Sequence, residues 1–391
     1  MYIGRILAFK EEMKPTLFSL VFLVSAAQAE MPWIEPPERS KKGHLVPTPD
    51  YVPKFPKDHG AHEEYGLEWW YWVGHLKAKN GKGEFGFQST VFRVAGDPNN
   101  QTGQPSIPTF GNKNLYLAHA ALSDISNGQY LHYERMYREG WQASSSSQTL
   151  DIQVGGIRAY LDTTGSRQHL VTRYPGGATL KLTLNPSKPI ISFGDRGLSR
   201  KGSAPAAVSW YWSYTRLKAE GTLTYKEEEI PVEGTAWMDH EVSSSQLGKE
   251  LEGWDWTCIQ LNDGNEVKAY RLRQENGGSD PWSAIYWIDA EGKVTKAYGS
   301  QFEWIENKEW RSPNTQLAYP TKVTISANHP KKGKVVYRLE PLLADQEFRG
   351  LKGDNPYWEG ACIVMDETGN EIGRAYLELA GYGGGLGARL N

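Results

Sequence analysis

Residues 67–94 read LEWWYWVGHLKAKNGKGEFGFQSTVFRV. Two runs rich in aromatic and β-branched residues, Leu67 to Leu76 and Glu84 to Val94, flank the dipeptide Asn80-Gly81. Such residues favour the pleated strand. Asn-Gly between two such runs favours the tight turn of a hairpin. The stretch therefore predicts an antiparallel pair, and the rest of the chain extends it. Leu115 to Ser123, Trp210 to Tyr225, Ile230 to Met238 and Trp254 to Leu261 read as further strands, and Asp263-Gly264 turns the chain into Glu266 to Arg273. Helical periodicity is scarce, its best candidate being a short helix within 341–349. Many strands with regular turn signals predict an all-β protein built as a sandwich or barrel.

Trp70-Tyr71-Trp72, a hairpin turn and a strand reaching Arg93 are echoed by Trp254-Asp255-Trp256, a turn and a strand reaching Arg273. An echo at this spacing predicts two related β domains in tandem. In it Asp255 stands where the first half has Tyr71. We place the domains at 61–240 and 241–391. Before them, residues 30–60 carry Pro32, Pro36, Pro37, Pro47, Pro49, Pro53 and Pro56, which exclude a helix and leave an extended arm.

The 391 residues carry a net charge of -3 with no long run of one sign, which gives no footing for nucleic acid or an anionic membrane. Lys14, the apolar run Leu17 to Ala27 and the small-residue end Ala27-Gln28-Ala29 have the order of a signal peptide cleaved after Ala29. Residues 1–29 are expected to be removed on export, leaving a periplasmic or secreted protein. The run is too short to span a bilayer, so no stable membrane insertion is expected. Cys258 and Cys362 are the two cysteines, and either a disulfide or two separate buried thiols is compatible with export.

Residues 234–245, GTAWMDHEVSSS, carry the densest polar chemistry. In a strand, Asp239 and Glu241 share one face and His240 takes the other, a poor three-ligand set for a metal. No GxSxG elbow accompanies the serines. General acid chemistry fits better. A carboxyl desolvated among tryptophans stays protonated, and aromatic faces attract a developing cation. Asp239 near Trp237, and Asp255 between Trp254 and Trp256, are the candidate proton donors, with His240 positioning water. The plainer alternative is that the Asp–His pair satisfies backbone and the tryptophans are core. Asp255 shares its face with Thr257, Ile259 and Leu261, so either that face lines a cavity or Asp255 pairs with Arg271 or Arg273. His119 alternates with Leu117 and Ala121 and reads as a core or cavity histidine. Glu68 and Arg93 read as an internal ion pair.

Taken in order, LEWWYWVGHL, FGFQSTVFR, LYLAHAALSD, GTLTY, PVEGTAWMDHEVSSS, GWDWTCIQLNDGNEVKAYRLR and GRAYLELAGY resemble the AttH / carotenoid 1,2-hydratase family of lipocalin-like proteins. The resemblance covers nearly all of the chain after about residue 60. It implies two tandem lipocalin-like β-barrels with a ligand cavity built from strands. Some such relatives hydrate an isolated double bond of acyclic carotenoids without a cofactor, many are labelled only as secreted hydrolases, and distant ones catalyse pericyclic cyclisations. The expected ligand is an apolar or amphipathic small molecule, with no cofactor and no metal. Its expected contacts are Trp70, Tyr71, Trp72, Arg93, His119, Trp237, Trp254 and Tyr270, around the catalytic candidates Asp239, His240 and Asp255. A non-catalytic lipid or pigment carrier, and a hydrolase using an Asp/His-activated water, are the alternatives.

Overall fold

The computed structural model describes residues 31–98, 114–245, 247–350 and 355–386, so the expected leader at 1–29 lies outside the described residues. The chain divides at Ile34, and everything below concerns Ile34 onward. The chain is all-β, two tandem lipocalin-like sheets, the first nearly closed into a barrel.

In the first sheet the strands follow the spatial order Gln129–Arg138, Leu115–Asp124, Glu84–Val94, Leu67–Ala78, Glu228–Ser243, Val208–Tyr225 and Thr179–Pro186, then four shorter strands ending at Ala143–Ser145. Its interior is packed with Trp70, Trp72, Phe87, Leu122, Leu182, Leu217 and Met238. The second sheet runs Val294–Tyr298, Ala284–Ile288, Glu266–Gln274, Leu251–Leu261, Glu371–Ala380, Tyr357–Met365, Gly333–Pro341, Ala318–His329 and Phe302–Arg311. Ile259, Val267, Val323, Trp358, Cys362 and Leu377 fill its core. The hairpin of 67–94 forms as expected, with Trp69 opposite Phe92 and Tyr71 opposite Thr90. Residues 34–66 lie along the first sheet. Tyr51 stacks on Trp210 with ring centroids 4.0 Å apart, and the Trp210 indole donates to the Thr48 carbonyl at 2.8 Å.

Two expectations need correction. No helix forms within 341–349. Pro341 closes a strand, and Glu347–Phe348 pair with Tyr357 and Trp358. The Gln346 amide binds the backbone of Leu343 and Ala361, which fixes the segment to the sheet. Next, the internal echo is real in outline but shifted by one residue. Arg93 stands opposite Glu68 and Arg273 opposite Gly253, so counting from the arginines sets Asp255 level with Trp70 and Trp256 level with Tyr71. A one-residue shift exchanges the faces of a strand. Of the two alternatives left open for the cysteines, the structure shows separate thiols: Cys258 and Cys362 are free and buried. Cys258 is opposite Tyr376, and Tyr376 is opposite Ala361, so Cys362 points to the other side of the sheet.

Candidate active site

Six strands of the first sheet set Glu134, His119, Thr90, Tyr71, Asp239 and Ser213 side by side in one polar row. Two residues toward solvent along each strand, the next row on the same face is Met136, Leu117, Phe92, Trp69, Glu241 and Tyr211. Across the gap the second sheet presents Tyr270, Trp256, Glu378 and Glu359 as a facing row. Between them lies a cavity of about 620 Å³, lined by every residue just named except Ser213. Val94 and Met136, 37% and 56% exposed, mark its open end. The alternation of strand side chains produces this layering: a polar floor, and above it a layer that is apolar from Met136 to Trp69 and polar at Glu241 and Tyr211.

Asp239 is held by three donors. Tyr211 Oη donates to Oδ2 at 2.6 Å, Trp237 Nε1 to Oδ1 at 2.6 Å, and Ser213 Oγ also to Oδ1. Burial raises its pKa, opposed by the Lys268 charge and these three bonds. Glu359 and Glu378 stand directly opposite each other on neighbouring strands. Tyr71 Oη donates to Glu359. Neither glutamate forms an ion pair among the described residues. Burial, then the negative charge of Glu378, holds Glu359 well above the carboxylate range, and burial lifts Glu378 to about 7, with the Asp239 charge adding to both. Two facing carboxyls, one buried and one half-buried against the cavity, cannot both ionise cheaply, so near neutrality the pair keeps a proton. Lys201 Nζ meets Glu241 at 2.7 Å on the cavity wall. Lys268 is buried behind that wall, its Nζ 3.1 Å from the Tyr211 ring centroid and 3.7 Å from that of Phe193, and burial pushes its pKa well down.

At the other side of the floor, His119 Nδ1 lies 3.0 Å from Tyr357 Oη, and the imidazole stacks on Phe348 at 4.6 Å. His119 Nε2 is 3.3 Å from Glu134 Oε2. Gln88 Nε2 donates to Tyr357 Oη at 3.0 Å and to Thr90 Oγ1 at 3.2 Å.

Of the residues expected at a site, Asp239, Tyr71, His119, Trp254 and Tyr270 line the cavity, and Trp237 braces Asp239 from beside it. Five others lie elsewhere. His240 points to the opposite face, as strand alternation requires. There its Nε2 meets Glu68 Oε1 at 2.8 Å and its ring stacks on Trp70 at 4.9 Å. Trp70 and Trp72 are interior, their indoles donating to the His59 carbonyl and to Gln168 Oε1. Arg93 Nε pairs with Glu68 Oε2 at 3.0 Å and is wholly buried. Asp255 points into the second sheet, where it pairs with Arg273 at 3.0 Å and Arg271 at 3.5 Å and accepts from Tyr382 Oη at 3.0 Å. Burial still raises its pKa to about 6.

No metal was expected, yet His62, Glu68 and His240 bring ligand atoms within 4.8 Å of one another. Arg93 occupies the second oxygen of Glu68, and His62 Nδ1 meets the first at 2.8 Å. Burial opposes protonation of His62, but its bonds to Asp58 and Glu68 raise it to about 9. Burial likewise opposes ionisation of Asp58, which bonds from His62, the Lys54 N–H and Tyr51 bring down to about 2. Two cations thus balance two anions here without an ion.

Tyr211, Glu359, Glu378 and Lys268 were missed. A signal existed for the glutamates: each is the lone acid of an apolar run, YWEGACIVM and AYLELA.

Fold and cavity together define a lipocalin-like protein of two sheets with a cavity between them. The chain belongs to the AttH-like family, whose profile matches residues 46–382. An AttH structure from Nitrosomonas europaea is 32% identical, covering 85% of this chain and 98% of that one with a TM-score of 0.73. A kievitone hydratase from Nectria haematococca shares the fold at 13% identity and a TM-score of 0.62, covering 89% of this chain and 97% of that one. No curated protein sequence matches the chain.

Proposed function

We propose that the protein adds water across an isolated carbon–carbon double bond of a small molecule held in this cavity. The observation that carries the reading is the facing pair of buried Glu359 and half-buried Glu378, without a cation among the described residues, in an aromatic-walled cavity that also holds Asp239. The pair gives its proton to one alkene carbon. The cation on the other carbon lies against the faces of Trp69, Tyr211, Trp254 and Trp256. Water bonds to that carbon and loses one proton to Asp239, whose three donors hold it as an oriented base. The proton then returns from Asp239 to the pair through exchange with solvent, closing the cycle without a cofactor. Asp255 and His240 take no part.

Incubation with trisubstituted alkenes in ¹⁸O-labelled water tests this. One labelled hydroxyl should enter the product, and Glu378→Gln should lower the rate by about 10²-fold or more. Ligand binding with no label uptake would favour the carrier reading. We further propose that the chain acts after export, on the leader-like order of residues 14–29. N-terminal sequencing of the native protein should then begin at Glu30.

A further inference from the structure

Gln88 is 2% exposed and lines the cavity, and its amide is half used. Nε2 is committed to Tyr357 Oη at 3.0 Å and Thr90 Oγ1 at 3.2 Å, while Oε1 has no hydrogen-bond partner. Turning the amide over exchanges the two atoms but leaves one spent and one unpaired. A buried polar group without a partner is rare in a folded protein and marks a place where something else completes the bond. Two further polar groups surround it. The Tyr357 hydroxyl touches both Gln88 and His119, and His119 is held in place by its stack on Phe348. The three side chains come from three strands of two sheets, so the arrangement is fixed by the framework.

The geometry points to a subsite for an oxygen atom of the ligand, a hydroxyl donating to Gln88 Oε1 or a carbonyl accepting if the amide is turned. The ligand class is therefore an oxygenated alkene, not a pure hydrocarbon. The spacing sets its length. Tyr357 and Glu359 are two residues apart on one strand, a rise of about 7 Å. An oxygen at Gln88 thus lies five or six bonds, roughly 7 Å, from a double bond beside the acid pair. A hydrocarbon would bury Gln88 with its amide unsatisfied, and a site built to hydrogen-bond a ligand discriminates against the analogue that lacks the group. The inference shares the cavity with the hydration reading but needs no turnover.

Calorimetric titration with citronellol and with its deoxygenated hydrocarbon is the test, because the two share one skeleton and one trisubstituted double bond. The wild-type protein should bind the alcohol at least about tenfold more tightly. Gln88→Leu should bring the two affinities within about threefold, weakening the alcohol and strengthening the hydrocarbon. Thr90→Val, which removes only a hydroxyl that holds the amide, should lower the preference and serves if Gln88→Leu does not fold. Equal affinities in the wild type, an undiminished preference in both variants, or no saturable binding of the alcohol would each overturn the subsite. Preference without ¹⁸O uptake would strike the hydration reading alone. Uptake without preference would strike the subsite alone.

Discussion

Raising the pH should loosen this protein through a single imidazole. His62 sits in the segment that lies along the first sheet, 2.8 Å from Glu68 and 3.5 Å from Asp58. The groups around it are Asp58 and Glu68 as anions, Arg93 beyond Glu68, and His240, whose own pKa is lowered by burial. Folding raises His62 from 6.5 to about 9. A raised histidine contributes stability that is complete below its unfolded value and disappears as the pH passes its folded value. The window is therefore about pH 6.5 to 9. At 1.36 kcal/mol per unit the gap corresponds to about 3 kcal/mol. Urea unfolding at fixed temperature between pH 6 and 9.5 would measure it, with His62→Gln as the reference. Glu378, raised to about 7, removes stability between roughly pH 4.5 and 7 in both proteins, and the thiols act above about 9 in both. The difference between the two curves thus isolates His62. Wild type should start more stable and converge on the variant by pH 9.5. Parallel curves would refute the linkage, because they would mean that His62 has the same proton affinity folded and unfolded.

Arg93→Met should destabilise by about 3–5 kcal/mol in urea unfolding, since it leaves the wholly buried Glu68 without its guanidinium. Asp255→Leu should cost a similar amount by exposing Arg271 and Arg273 to an apolar interior, yet leave binding to the cavity unchanged in calorimetry. Asp239→Asn should keep the fold, because the amide oxygen still accepts from Ser213 and Trp237 and the amide N–H can donate to the Tyr211 hydroxyl oxygen, while turnover measured by ¹⁸O uptake falls by about 10²-fold. Native protein should resist a thiol reagent, and both Cys258 and Cys362 should react once it is unfolded, because burial pushes both thiols up.

The strands were readable because each short run carries its own signal: aromatic and β-branched residues, then Asn-Gly or Asp-Gly. The faces of GTAWMDHEVSSS were readable too, since alternation alone separates Asp239 from His240. What the linear pattern could not supply is what a face meets. Asp255 stands between two tryptophans in sequence, which suggests an aromatic pocket. In space those tryptophans look toward the cavity while Asp255 turns inward to two arginines. Trp70 and Trp72 misled in the same way. A tryptophan is equally at home in a core or a ligand wall, and only the partner sheet decides. Glu359 and Glu378 become a pair through strand pairing near the end of the chain, and their link to Tyr71 spans 288 residues. The helix expected at 341–349 failed for a related reason: a side chain from within the segment, Gln346, reaches the backbone of a later strand.

The layering of the cavity also governs its hydration. Water entering the empty protein finds partners along Glu134, His119, Thr90, Tyr71 and Asp239 and few along Met136, Leu117, Phe92 and Trp69. The floor stays wet, and the throat is dry along this edge but polar where Glu241 meets Lys201. A ligand entering along Met136, Leu117, Phe92 and Trp69 therefore meets little bound solvent before it reaches the floor. Its apolar part contributes a negative heat-capacity change, and its polar part exchanges one ordered partner for another with little net enthalpy. On the proposed hydration reading, the same apolar edge would keep bulk water from a carbocation while the floor supplies the molecule that quenches it.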